Sequence, residues 1–411
     1  MLYGLIGEKL SHSFSKEIHG RLADYDYVLK AIDREALEKF FKERGFRGIN
    51  VTVPYKTLVL EYLDEIDTAA QLIGAVNTVI NRGGKLFGFN TDAFGLTALI
   101  KKNGIEITGK KVLVLGSGGT SKTALYVAES LGAKEVLRVS RSKKEGFITY
   151  GEAAGLQSNA EVIINTTPCG MFPDNQSMPI DLSPFNSLEA VVDVIYNPLN
   201  TRLVLEAQRL GIKATGGLYM LVTQAARAAE LFTGKQIETD RFEEVYGEIL
   251  REKRNIVLIG MPTSGKTTVG KILSERLGMA FFDTDEQITE KTGQTPAEII
   301  KSRGEEYFRA LESEVIARIS QNNHSVIATG GGAVTVEKNV LSLKSNGKLF
   351  FLDRPLEMLI SSQDRPLSSS GEALKKLYEK RIDLYRSAAD VTVKNDADIE
   401  SAVEIIRKDL L

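Results

Sequence analysis

One stretch in the second half of the chain, residues 255–285, constrains the fold more than any other. Residues 256–259 form a short apolar run, typical of a buried parallel strand. Four residues then satisfy the pattern G-x-x-x-x-G-K-[ST]: Gly260, Gly265, Lys266 and Thr267. Apolar residues at helical spacing follow until Gly278. Strand, glycine loop and helix are the parts of a phosphate cradle, so the stretch predicts a nucleoside triphosphate site.

The loop chemistry assigns roles to its residues. Lys266 can neutralise phosphate charge, and Thr267 can ligate Mg²⁺. A glycine turn that joins a strand to a helix by chance would show the same spacing, but here the strand and the helix that the motif requires are both present. The other residues expected to contact the nucleotide are Met261, Pro262, Thr263, Ser264 and Thr268.

Composition limits the classes of function. A chain of 411 residues favours about two or three domains, and its net charge of −2 argues against a nucleic-acid partner. Cys169 is the single cysteine, which excludes an intrachain disulfide and a cysteine-built zinc site and fits a reducing cytoplasm. No apolar stretch reaches the about 20 residues of a membrane span, and we expect no signal peptide. These features predict a cytoplasmic enzyme without a membrane partner.

Short apolar runs alternate with amphipathic segments through most of the chain, which predicts an α/β fold with parallel sheets. The clearest expected strands are 2–6, 48–53, 112–115, 136–139, 162–164 and 191–194. A charged segment precedes the phosphate loop, and a further α/β unit begins near residue 103. We therefore expect three domains: 1–102 with returning helices at 217–248, 103–216, and 249–411.

A second glycine-rich loop follows the expected strand at 112–115. It contains Gly116, Gly118 and Gly119, but Ser121 replaces the third glycine of G-x-G-x-x-G, so the motif alone is weak. The next strand ends in a cluster of hydroxyls and cations: Ser140, Arg141, Ser142, Lys143 and Lys144. An NAD site usually has an acidic residue there, whereas this cluster suits the 2′-phosphate of NADP. The alternative is a solvated basic turn.

Polar residues also recur at the ends of elements in the N-terminal part. Ser13 and Ser15 would point the same way on an extended segment. Lys56 follows a strand and a proline, while Asn77 and Asp92 lie at loop-like glycine turns. If they meet, Lys56 and Asp92 can hold a ketone oxygen and transfer a proton to it while hydride arrives from a nicotinamide. Each feature alone would more often be a surface turn or a cap.

Together these motifs resemble shikimate dehydrogenase over about residues 1–248. The matching motifs are S-x-S at 13–15, N-V-T-x-P-x-K at 50–56, G-A-V-N-T at 74–78, N-T-D at 90–92, N-T-T-P at 165–168, D-x-x-Y-N-P at 193–198 and G-L-Y-M-L at 217–221. The resemblance implies a two-lobed fold in which Lys56 and Asp92 are the catalytic pair. Lys9, Lys16 and Gly20 depart from the family pattern, which affects the expected loop shape rather than the chemistry.

The same resemblance implies the residues that bind ligands. The substrate would be held by Ser13, Ser15, Thr52, Asn77 and Gln224. NADP(H) would be held by Gly116, Ser117, Gly118, Gly119, Thr120, Ser140, Arg141, Ser142, Lys144, Thr166, Met171 and Gly217, with Tyr196 at the junction of cofactor and substrate. Two serines in the S-x-S motif fit shikimate better than quinate.

Residues 254–411 resemble shikimate kinase. The matching motifs are the phosphate loop, F-D-T-D at 282–285, E-Y-F-R at 306–309 with Glu312, G-G-G at 330–332, D-R-P-L at 364–367 in a lid, and R-x-x-L-Y at 381–385. Thr263 replaces the middle glycine that the family commonly has. The resemblance implies roles as follows: Lys266 and Arg365 on the γ-phosphate, Thr267 and Asp283 on Mg²⁺, Asp285 as the base for the attacking hydroxyl, and Arg309, Gly331, Gly332 and Arg381 on the substrate.

The two implied reactions are consecutive. The first is reduction of 3-dehydroshikimate to shikimate with NADPH, and the second is phosphorylation of shikimate to shikimate 3-phosphate with ATP. The expected architecture is a two-lobed dehydrogenase, with an α/β substrate lobe and a Rossmann-like NADP lobe, followed by a P-loop kinase domain of the nucleoside-monophosphate-kinase type with a lid. We expect small-molecule substrates as partners, in a monomer or a homodimer.

Two alternative functions remain at this point, together with simpler structural readings of two kinase motifs. A regulatory protein that only binds nucleotide and shikimate would be expected to lack acid–base residues, yet Lys56, Asp92 and Asp285 are present. A quinate-type dehydrogenase fused to another small-molecule kinase is disfavoured by the S-x-S serines and by the two arginines. Read alone, Arg309 would be a surface ion pair with Glu305 or Glu312, and residues 330–332 would be only a turn.

Overall fold

The computed structural model describes residues 2–10, 13–359 and 371–410. The chain divides into two compact units, Met1–Ile249 and Leu250–Leu411, which we call the first and the second unit. The first unit contains two six-stranded sheets and the second unit contains one five-stranded sheet. The predicted α/β fold class is confirmed, whereas the three domain bounds remain a prediction.

The first sheet is formed by the N-terminal part of the first unit. Its elements are β1 (Tyr3–Gly7), α1 (Ser15–Leu22), β2 (Tyr27–Ala31), α2 (Arg34–Glu43), β3 (Gly48–Val51), β4 (Glu65–Ile66), α3 (Thr68–Ile73), β5 (Thr78–Arg82), β6 (Lys85–Phe89) and α4 (Thr91–Lys102). The strand order is β2-β1-β3-β5-β6-β4.

This sheet is mixed, so the prediction of parallel sheets is wrong here. β5 runs antiparallel to both β3 and β6. β5 and β6 form a hairpin across Gly83 and Gly84, which have φ values of 60° and 90°. Two successive residues with positive φ favour the tight reversal of a hairpin, and glycine adopts them without steric cost.

The second sheet contains the second glycine loop and is entirely parallel, in the order β12-β11-β10-β7-β8-β9. Its elements are β7 (Lys111–Leu115), α5 (Gly119–Ser130), β8 (Glu135–Ser140), β9 (Ile148–Thr149), α6 (Tyr150–Leu156), β10 (Val162–Asn165), β11 (Ala190–Asp193), α7 (Arg202–Arg209) and β12 (Lys213–Thr215). Buried apolar runs made its four central strands predictable to within one residue.

Two long helices, α8 (Leu218–Thr233) and α9 (Thr239–Lys253), follow the second sheet. α8 packs against α4, which follows the first sheet. A Cβ built on Gly95 of α4 would lie 2.5 Å from the main-chain oxygen of Met220, so glycine permits this close approach. The packing brings Gln224 of α8 to the carboxyl edge of the first sheet.

The second unit has a parallel sheet in the order β14-β15-β13-β16-β17. Its elements are β13 (Asn255–Ile259), α10 (Lys266–Leu277), β14 (Ala280–Asp283), α11 (Thr284–Thr292), α12 (Pro296–Ile319), β15 (Ser325–Ala328), α13 (Glu337–Asn346), β16 (Gly347–Asp353), α14 (Gly371–Ala388), β17 (Val391–Lys394) and α15 (Ile399–Leu410). β13 lies at the centre, so the phosphate loop begins in the middle of the carboxyl edge of this sheet. In the described part of the chain, no helix combines the length and apolarity that crossing a membrane requires.

Candidate active sites

Lys56 and Asp92 form a direct ion pair in the first unit. Lys56 Nζ lies 2.6 Å from Asp92 Oδ2, and the two side chains are only 13% and 9% exposed. Asp92 lies in the first turn of α4, not in a loop as the sequence suggested, because the Asn90 side chain caps the helix by accepting a hydrogen bond from the N–H of Ala93 (3.1 Å). A nearly buried lysine–carboxylate pair can both bind and protonate a ketone oxygen.

Two amide side chains surround this pair. Asn77 Nδ2 donates to Asp92 Oδ1 (2.9 Å), and Gln224 Oε1 lies 3.4 Å from the same nitrogen. Asn77 precedes β5, whereas Gln224 comes from α8, so segments far apart in sequence meet at one point. The structure therefore brings together four predicted site residues: Lys56, Asp92, Asn77 and Gln224.

The second glycine loop lies directly beside this group. Lys56 Nζ is 3.3 Å from Thr120 Oγ1, and a Cβ built on Gly119 would lie 3.1 Å from the Cβ of Lys56. Lys122 of α5 also donates a hydrogen bond to the main-chain oxygen of Gly74 (3.1 Å). The two sheets of the first unit thus meet at one place, where the ion pair contacts the glycine loop.

Ser13 and Ser15 meet, but not on an extended segment as predicted. Ser15 begins α1, and Ser13 Oγ accepts a hydrogen bond from the N–H of Ser15 (3.2 Å) while donating to Ser15 Oγ (3.1 Å). This local turn starts the helix. Tyr196 packs against Phe14 with ring centroids 5.1 Å apart. Burial raises the pKa of Tyr196, and its hydrogen bond with Ser13 partly offsets the rise.

Thr52 lies at the carboxyl edge of the first sheet. Its N–H donates to the main-chain oxygen of Ile6 (2.9 Å), and a Cβ built on Gly7 would lie 2.5 Å from its methyl carbon. Thr52 follows β3 and Gly7 ends β1, so the contact lies where two neighbouring parallel strands end. This is the same edge at which Lys56 follows β3.

Gly116 of the second glycine loop, and Gly217 after β12, lie where a side chain would collide with neighbouring atoms. Gly116 has φ 118°, and a Cβ there would lie 2.6 Å from Thr166 Oγ1. A Cβ on Gly217 would lie 2.1 Å from the main-chain oxygen of Val194. A tight turn directly after the first strand of the sheet is what a pyrophosphate-binding loop requires, so the conformation of Gly116 fits a dinucleotide site. Gly118 and Ser117 complete the turn before α5, and the side chain of Met171 is exposed.

The residues of the predicted 2′-phosphate cluster differ in accessibility. Arg141, Ser142 and Lys144 are exposed, and Lys144 Nζ lies 3.5 Å from Ser117 Oγ of the glycine loop. Ser140, in contrast, is buried, and its hydroxyl donates to the main-chain oxygen of Ser142. The structure therefore places Lys144 beside the glycine loop, while the Ser140 hydroxyl forms a hydrogen bond inside the turn at 140–142.

Sequence reasoning assigned no role to Asp193, although it begins a motif. Its buried carboxylate accepts hydrogen bonds from Asn165 Nδ2 (3.0 Å), the N–H of Ile195 (3.0 Å) and Thr201 Oγ1 (2.7 Å). Burial raises the pKa of Asp193 to about 6, against these three hydrogen bonds, which lower it. The carboxylate ties together the loops after β10 and β11, which bear Thr166 and Tyr196.

In the second unit, the phosphate loop has the conformation that its glycines suggest. Gly260 and Gly265 have φ values of 149° and 89°. Lys266 Nζ donates to the main-chain oxygens of Gly260 (2.9 Å) and Met261 (2.8 Å). Pro262 and Ser264 are buried within the loop, whereas Thr268, in the first turn of α10, is exposed.

Thr263 replaces the family's middle glycine at a position that favours glycine. Its φ is 63°, in the left-handed region, which costs a residue with a Cβ about 1 kcal/mol. Its hydroxyl donates to the main-chain oxygen of Pro262 (2.6 Å). The substitution is thus accommodated with some backbone strain in the loop.

The predicted metal ligands, Thr267 and Asp283, are adjacent. Thr267 Oγ1 donates to Asp283 Oδ2 (2.7 Å), while Asp283 Oδ1 caps α11 by accepting from the N–H of Asp285 (2.9 Å). Among the described residues, no group of three or more histidine, cysteine or acidic side chains could hold a metal by itself. A hydroxyl and a carboxylate fit Mg²⁺, which takes oxygen ligands and keeps the remainder from water and phosphate.

The glycine turn at 330–332 packs against acidic and basic side chains rather than being only a turn. A Cβ on Gly330 would lie 2.6 Å from Glu312 Oε1 and 3.0 Å from Asp285 Oδ1. A Cβ on Gly332 would lie 2.2 Å from the Arg309 guanidinium, and one on Gly331 would lie 2.8 Å from Pro262 of the phosphate loop. The turn thus lies among Asp285, Arg309 and the nucleotide loop.

Arg309 and Arg381 approach this turn from different helices. Arg309 pairs with Glu305 (3.0 Å) and Glu312 (2.6 Å), as the ion-pair alternative proposed, but Glu312 is fully buried, so this is not a surface pair. Arg381 Nη1 donates to the main-chain oxygen of Gly331 (3.0 Å), as does the hydroxyl of Tyr385. Arg365, with the rest of the predicted lid motif, lies outside the described residues.

Glu312 was matched to a motif without an assigned role. Oε1 of its carboxylate finds no hydrogen-bond donor within the part of the chain that the structure describes, and burial raises the pKa of Glu312 against the pairing with Arg309. The sequence signal for this pair was the spacing, since an acidic residue three positions after an arginine on a helix can form an ion pair with it.

Comparisons with known proteins identify two families along the chain. The family model of the shikimate dehydrogenase substrate-binding domain matches residues 5–79, and that of shikimate kinase matches residues 262–410. The shikimate dehydrogenase (NADP(+)) of Clostridium perfringens strain 13 is 35% identical over 266 residues, which cover 60% of this chain and 98% of that enzyme. The chain belongs to the shikimate dehydrogenase family. With its C-terminal shikimate kinase domain, it is a bifunctional enzyme of the shikimate pathway.

Solved structures support the same assignment of the first unit. Shikimate dehydrogenase 1 from Peptoclostridium difficile shares 35% identity at a TM-score of 0.57, covering 60% of this chain and 97% of its own. The Thermus thermophilus enzyme, solved in complex with NADP(H) and shikimate, shares 33% identity at a TM-score of 0.54, covering 60% of this chain and 99% of its own. The predicted dehydrogenase followed by a P-loop kinase is confirmed.

Proposed function

We propose that the first unit reduces the 3-keto group of 3-dehydroshikimate at Lys56 and Asp92, and that the second unit phosphorylates the resulting 3-hydroxyl at Asp285. The observation that carries the first assignment is the 2.6 Å ion pair beside the glycine loop of the second sheet. The second assignment is supported by the convergence of Asp285 and Arg309 on the glycine turn next to the phosphate loop.

In the reduction, the chain binds the ketone and provides the proton. Lys56 Nζ donates a hydrogen bond to the ketone oxygen, and the Lys56–Asp92 pair transfers a proton to that oxygen as negative charge develops there. NADPH, when bound, supplies the hydride. Asn77 and Gln224 hold the ring hydroxyls, while Ser13, Ser15 and Thr52 complete the substrate pocket.

The cofactor is held by the glycine loop and the basic turn. Main-chain N–H groups at 116–120 and the start of α5 bind the pyrophosphate, while Arg141 and Lys144 bind the 2′-phosphate. Ser140 shapes the turn and Ser142 adds a hydroxyl. Thr166, Met171, Tyr196 and Gly217 contact the nicotinamide end of the cofactor.

In the phosphorylation, Asp285 accepts the proton of the attacking hydroxyl, and Arg309 and Arg381 bind the shikimate carboxylate. Gly331 and Gly332 lack side chains, so the ring of shikimate can pack against the main chain of the turn. ATP with Mg²⁺, when bound, supplies the phosphoryl group. The protein assists such a transfer mainly by positioning the reactants and neutralising their charge. Lys266 and Arg365 neutralise the γ-phosphate, while Thr267 and Asp283 hold the metal.

The setting of the enzyme is also part of the proposal. We infer a cytoplasmic enzyme, monomeric or homodimeric, without a nucleic-acid or membrane partner. The net charge of −2 and the single cysteine support this inference.

A substrate panel tests the function. We expect reduction of 3-dehydroshikimate with NADPH in preference to NADH, oxidation of shikimate in preference to quinate, and MgATP-dependent phosphorylation of shikimate but not of quinate. Equal rates with quinate would contradict the substrate assignment. Binding of shikimate and nucleotides without turnover would favour the regulatory alternative.

A further inference from the structure

A chain of buried polar side chains leads from the edge of the first sheet to Asp92. The chain consists of Tyr27 on β2, Asn50 on β3, Thr78 on β5 and Asn77 immediately before it. All four residues are buried, as is Asp92. The ring of Tyr27 is fixed from behind by the imidazole of His19, stacked at 3.9 Å with an interplanar angle of 8°.

The main chain dictates how the Asn77 amide faces. The N–H of Thr91 donates to Asn77 Oδ1 (2.7 Å), and a main-chain N–H can only donate. The other end of the amide, Nδ2, is therefore the end that donates to Asp92 Oδ1 (2.9 Å). The orientation of the Asp92 carboxylate thus depends on how firmly Asn77 is held.

The Asn50 amide is oriented by the same kind of constraint. Its Nδ2 lies 3.3 Å from the main-chain oxygen of Asn77, which can only accept, so its Oδ1 faces the Tyr27 hydroxyl (2.7 Å). Contacts with main-chain atoms therefore decide which end of each side-chain amide is the oxygen and which is the nitrogen.

Thr78 links the two amides. Its Oγ1 accepts a hydrogen bond from Asn50 Nδ2 (2.9 Å), which leaves its one proton for Asn77 Oδ1 (3.2 Å) or Thr91 Oγ1 (3.1 Å). A buried network in which every member is satisfied is rigid, whereas removing one link leaves neighbours without partners.

We propose that Thr78 is a positioning residue of the reduction: with Asn50 and Tyr27, it holds the Asn77 amide and thereby the Asp92 carboxylate against Lys56. The inference rests on the proposed role of Asp92 as a catalytic residue. Thr78 holds the Oδ1 end of the Asn77 amide, and the Nδ2 end of that amide orients Asp92. Because Asn77 also holds a ring hydroxyl, the loss of the Thr78 hydroxyl affects KM slightly, but the larger effect is on kcat.

The test is Thr78→Val, which keeps the shape of the side chain and removes its hydroxyl. We expect kcat for reduction of 3-dehydroshikimate to fall about tenfold, since small misplacements of catalytic groups slow chemistry, while KM changes less than about twofold. The primary isotope effect with deuterated NADPH should increase, because hydride transfer becomes slower relative to product release. Thr78→Ser, which keeps the hydroxyl, should retain kcat within about twofold.

Tyr27→Phe tests the chain independently at its far end, in case Thr78→Val fails to fold. Removing only this hydroxyl should lower kcat about threefold with the same change in isotope effect. The matched control is Thr223→Val, where a buried threonine hydroxyl donates to the main-chain oxygens of Tyr219 (2.8 Å) and Met220 (3.3 Å) of its own helix. The control should keep wild-type kcat.

Shikimate phosphorylation by the same chain serves as the concentration standard for every variant. Unchanged kcat and isotope effect in Thr78→Val and in Tyr27→Phe would overturn the inference. So would equal losses in Thr78→Val, Thr78→Ser and Thr223→Val, which would indicate general destabilisation. A wild-type chain that cannot reduce 3-dehydroshikimate would instead contradict the proposed function and, with it, this inference.

Discussion

The charged groups of the two sites are held in different ways. In the first unit, Lys56 and Asp92 pair with each other, and the Asn77 amide, which also contacts Gln224 from a distant helix, donates to the carboxylate. In the second unit, Lys266 and Arg381 donate to main-chain oxygens of glycine-containing loops, atoms that the oxygens of phosphate and carboxylate ligands can replace. The difference indicates that the reacting groups of the proposed reduction site are positioned by the fold, whereas Lys266 and Arg381 of the proposed kinase site can exchange local partners for ligands.

The largest expected effects separate the two sites. Lys266→Ala should lower phosphorylation of shikimate by about 10³-fold or more, because the γ-phosphate loses a charge-neutralising contact, while reduction stays at the wild-type rate. Lys56→Ala should lower reduction by about 10³-fold and leave phosphorylation of supplied shikimate unchanged. Steady-state assays of both reactions on each variant measure this. Parallel loss of both activities in a folded variant would contradict separate sites.

The next effect concerns substrate binding at the kinase site. Arg309→Lys keeps the charge but loses the planar fork that binds a carboxylate through two hydrogen bonds, so KM for shikimate in phosphorylation should rise about 10- to 100-fold. KM for ATP and for the reduction substrate should not change. Arg303→Lys, at a residue that lies in α12 just before the kink at Gly304 and donates to the Tyr307 hydroxyl, is the control and should leave all three values unchanged. If kcat falls while KM stays constant, Arg309 is not acting mainly as a binding group.

A smaller effect distinguishes the cofactors at the reduction site. Lys144→Gln removes an exposed cation beside the glycine loop, so KM for NADPH should rise about three- to tenfold while KM for NADH stays constant. Lys143→Gln is the matched control, because Lys143 pairs with Glu152 (2.7 Å), and it should change KM for NADPH less than twofold. Equal changes for NADPH and NADH would exclude a 2′-phosphate contact.

The smallest expected effect is a pH dependence of stability in the first unit. Burial lowers the pKa of His19 from 6.5 to about 3, so the folded unit keeps the imidazole neutral while the unfolded chain protonates it. The stability associated with neutral His19 is present above pH 6.5 and is lost as pH falls from there toward 3. Asp193 acts in the opposite direction, because its raised pKa favours the folded state at low pH and this contribution is lost as pH rises through about 6.

A variant isolates the His19 contribution from that of Asp193. His19→Phe should make the first unit relatively more stable as pH falls from 6.5 to 5, by about 2 kcal/mol relative to the change in the wild type. Calorimetry can follow this transition, identified by its shift with NADP⁺, beside that of the second unit. Identical pH profiles for the variant and the wild type would show that His19 is not buried as a neutral group.

The parts of the fold that could be predicted are those set by local sequence. The phosphate loop was predictable because strand, glycines, lysine and helix are contiguous, and the second sheet because buried parallel strands are continuous apolar runs. The first sheet was harder, since the Gly83–Gly84 reversal between two short strands makes it mixed. Asp92 was assigned to a turn because the capping role of Asn90 was not recognised.

The parts of the sites that could not be predicted depend on tertiary packing. Gln224 reaches Asn77 only because Gly95 lets α8 approach α4 closely. The burial of Glu312 and Asp193, which raises the pKa of both carboxyls, follows from packing that no spacing reveals. The resemblance to two families supplied the expected residue roles, whereas the hydrogen-bond chain through Thr78 became visible only in the structure.

The most direct test of two consecutive reactions on one chain is a single mixture of the purified chain with 3-dehydroshikimate, NADPH and MgATP. NADPH oxidation is followed by absorbance, and shikimate 3-phosphate is quantified by mass spectrometry. We predict equal moles of NADPH oxidised and of shikimate 3-phosphate formed, with Lys266→Ala stopping at shikimate. NADPH oxidation without phosphorylated product, in a wild-type chain that also leaves supplied shikimate unchanged, would contradict the account.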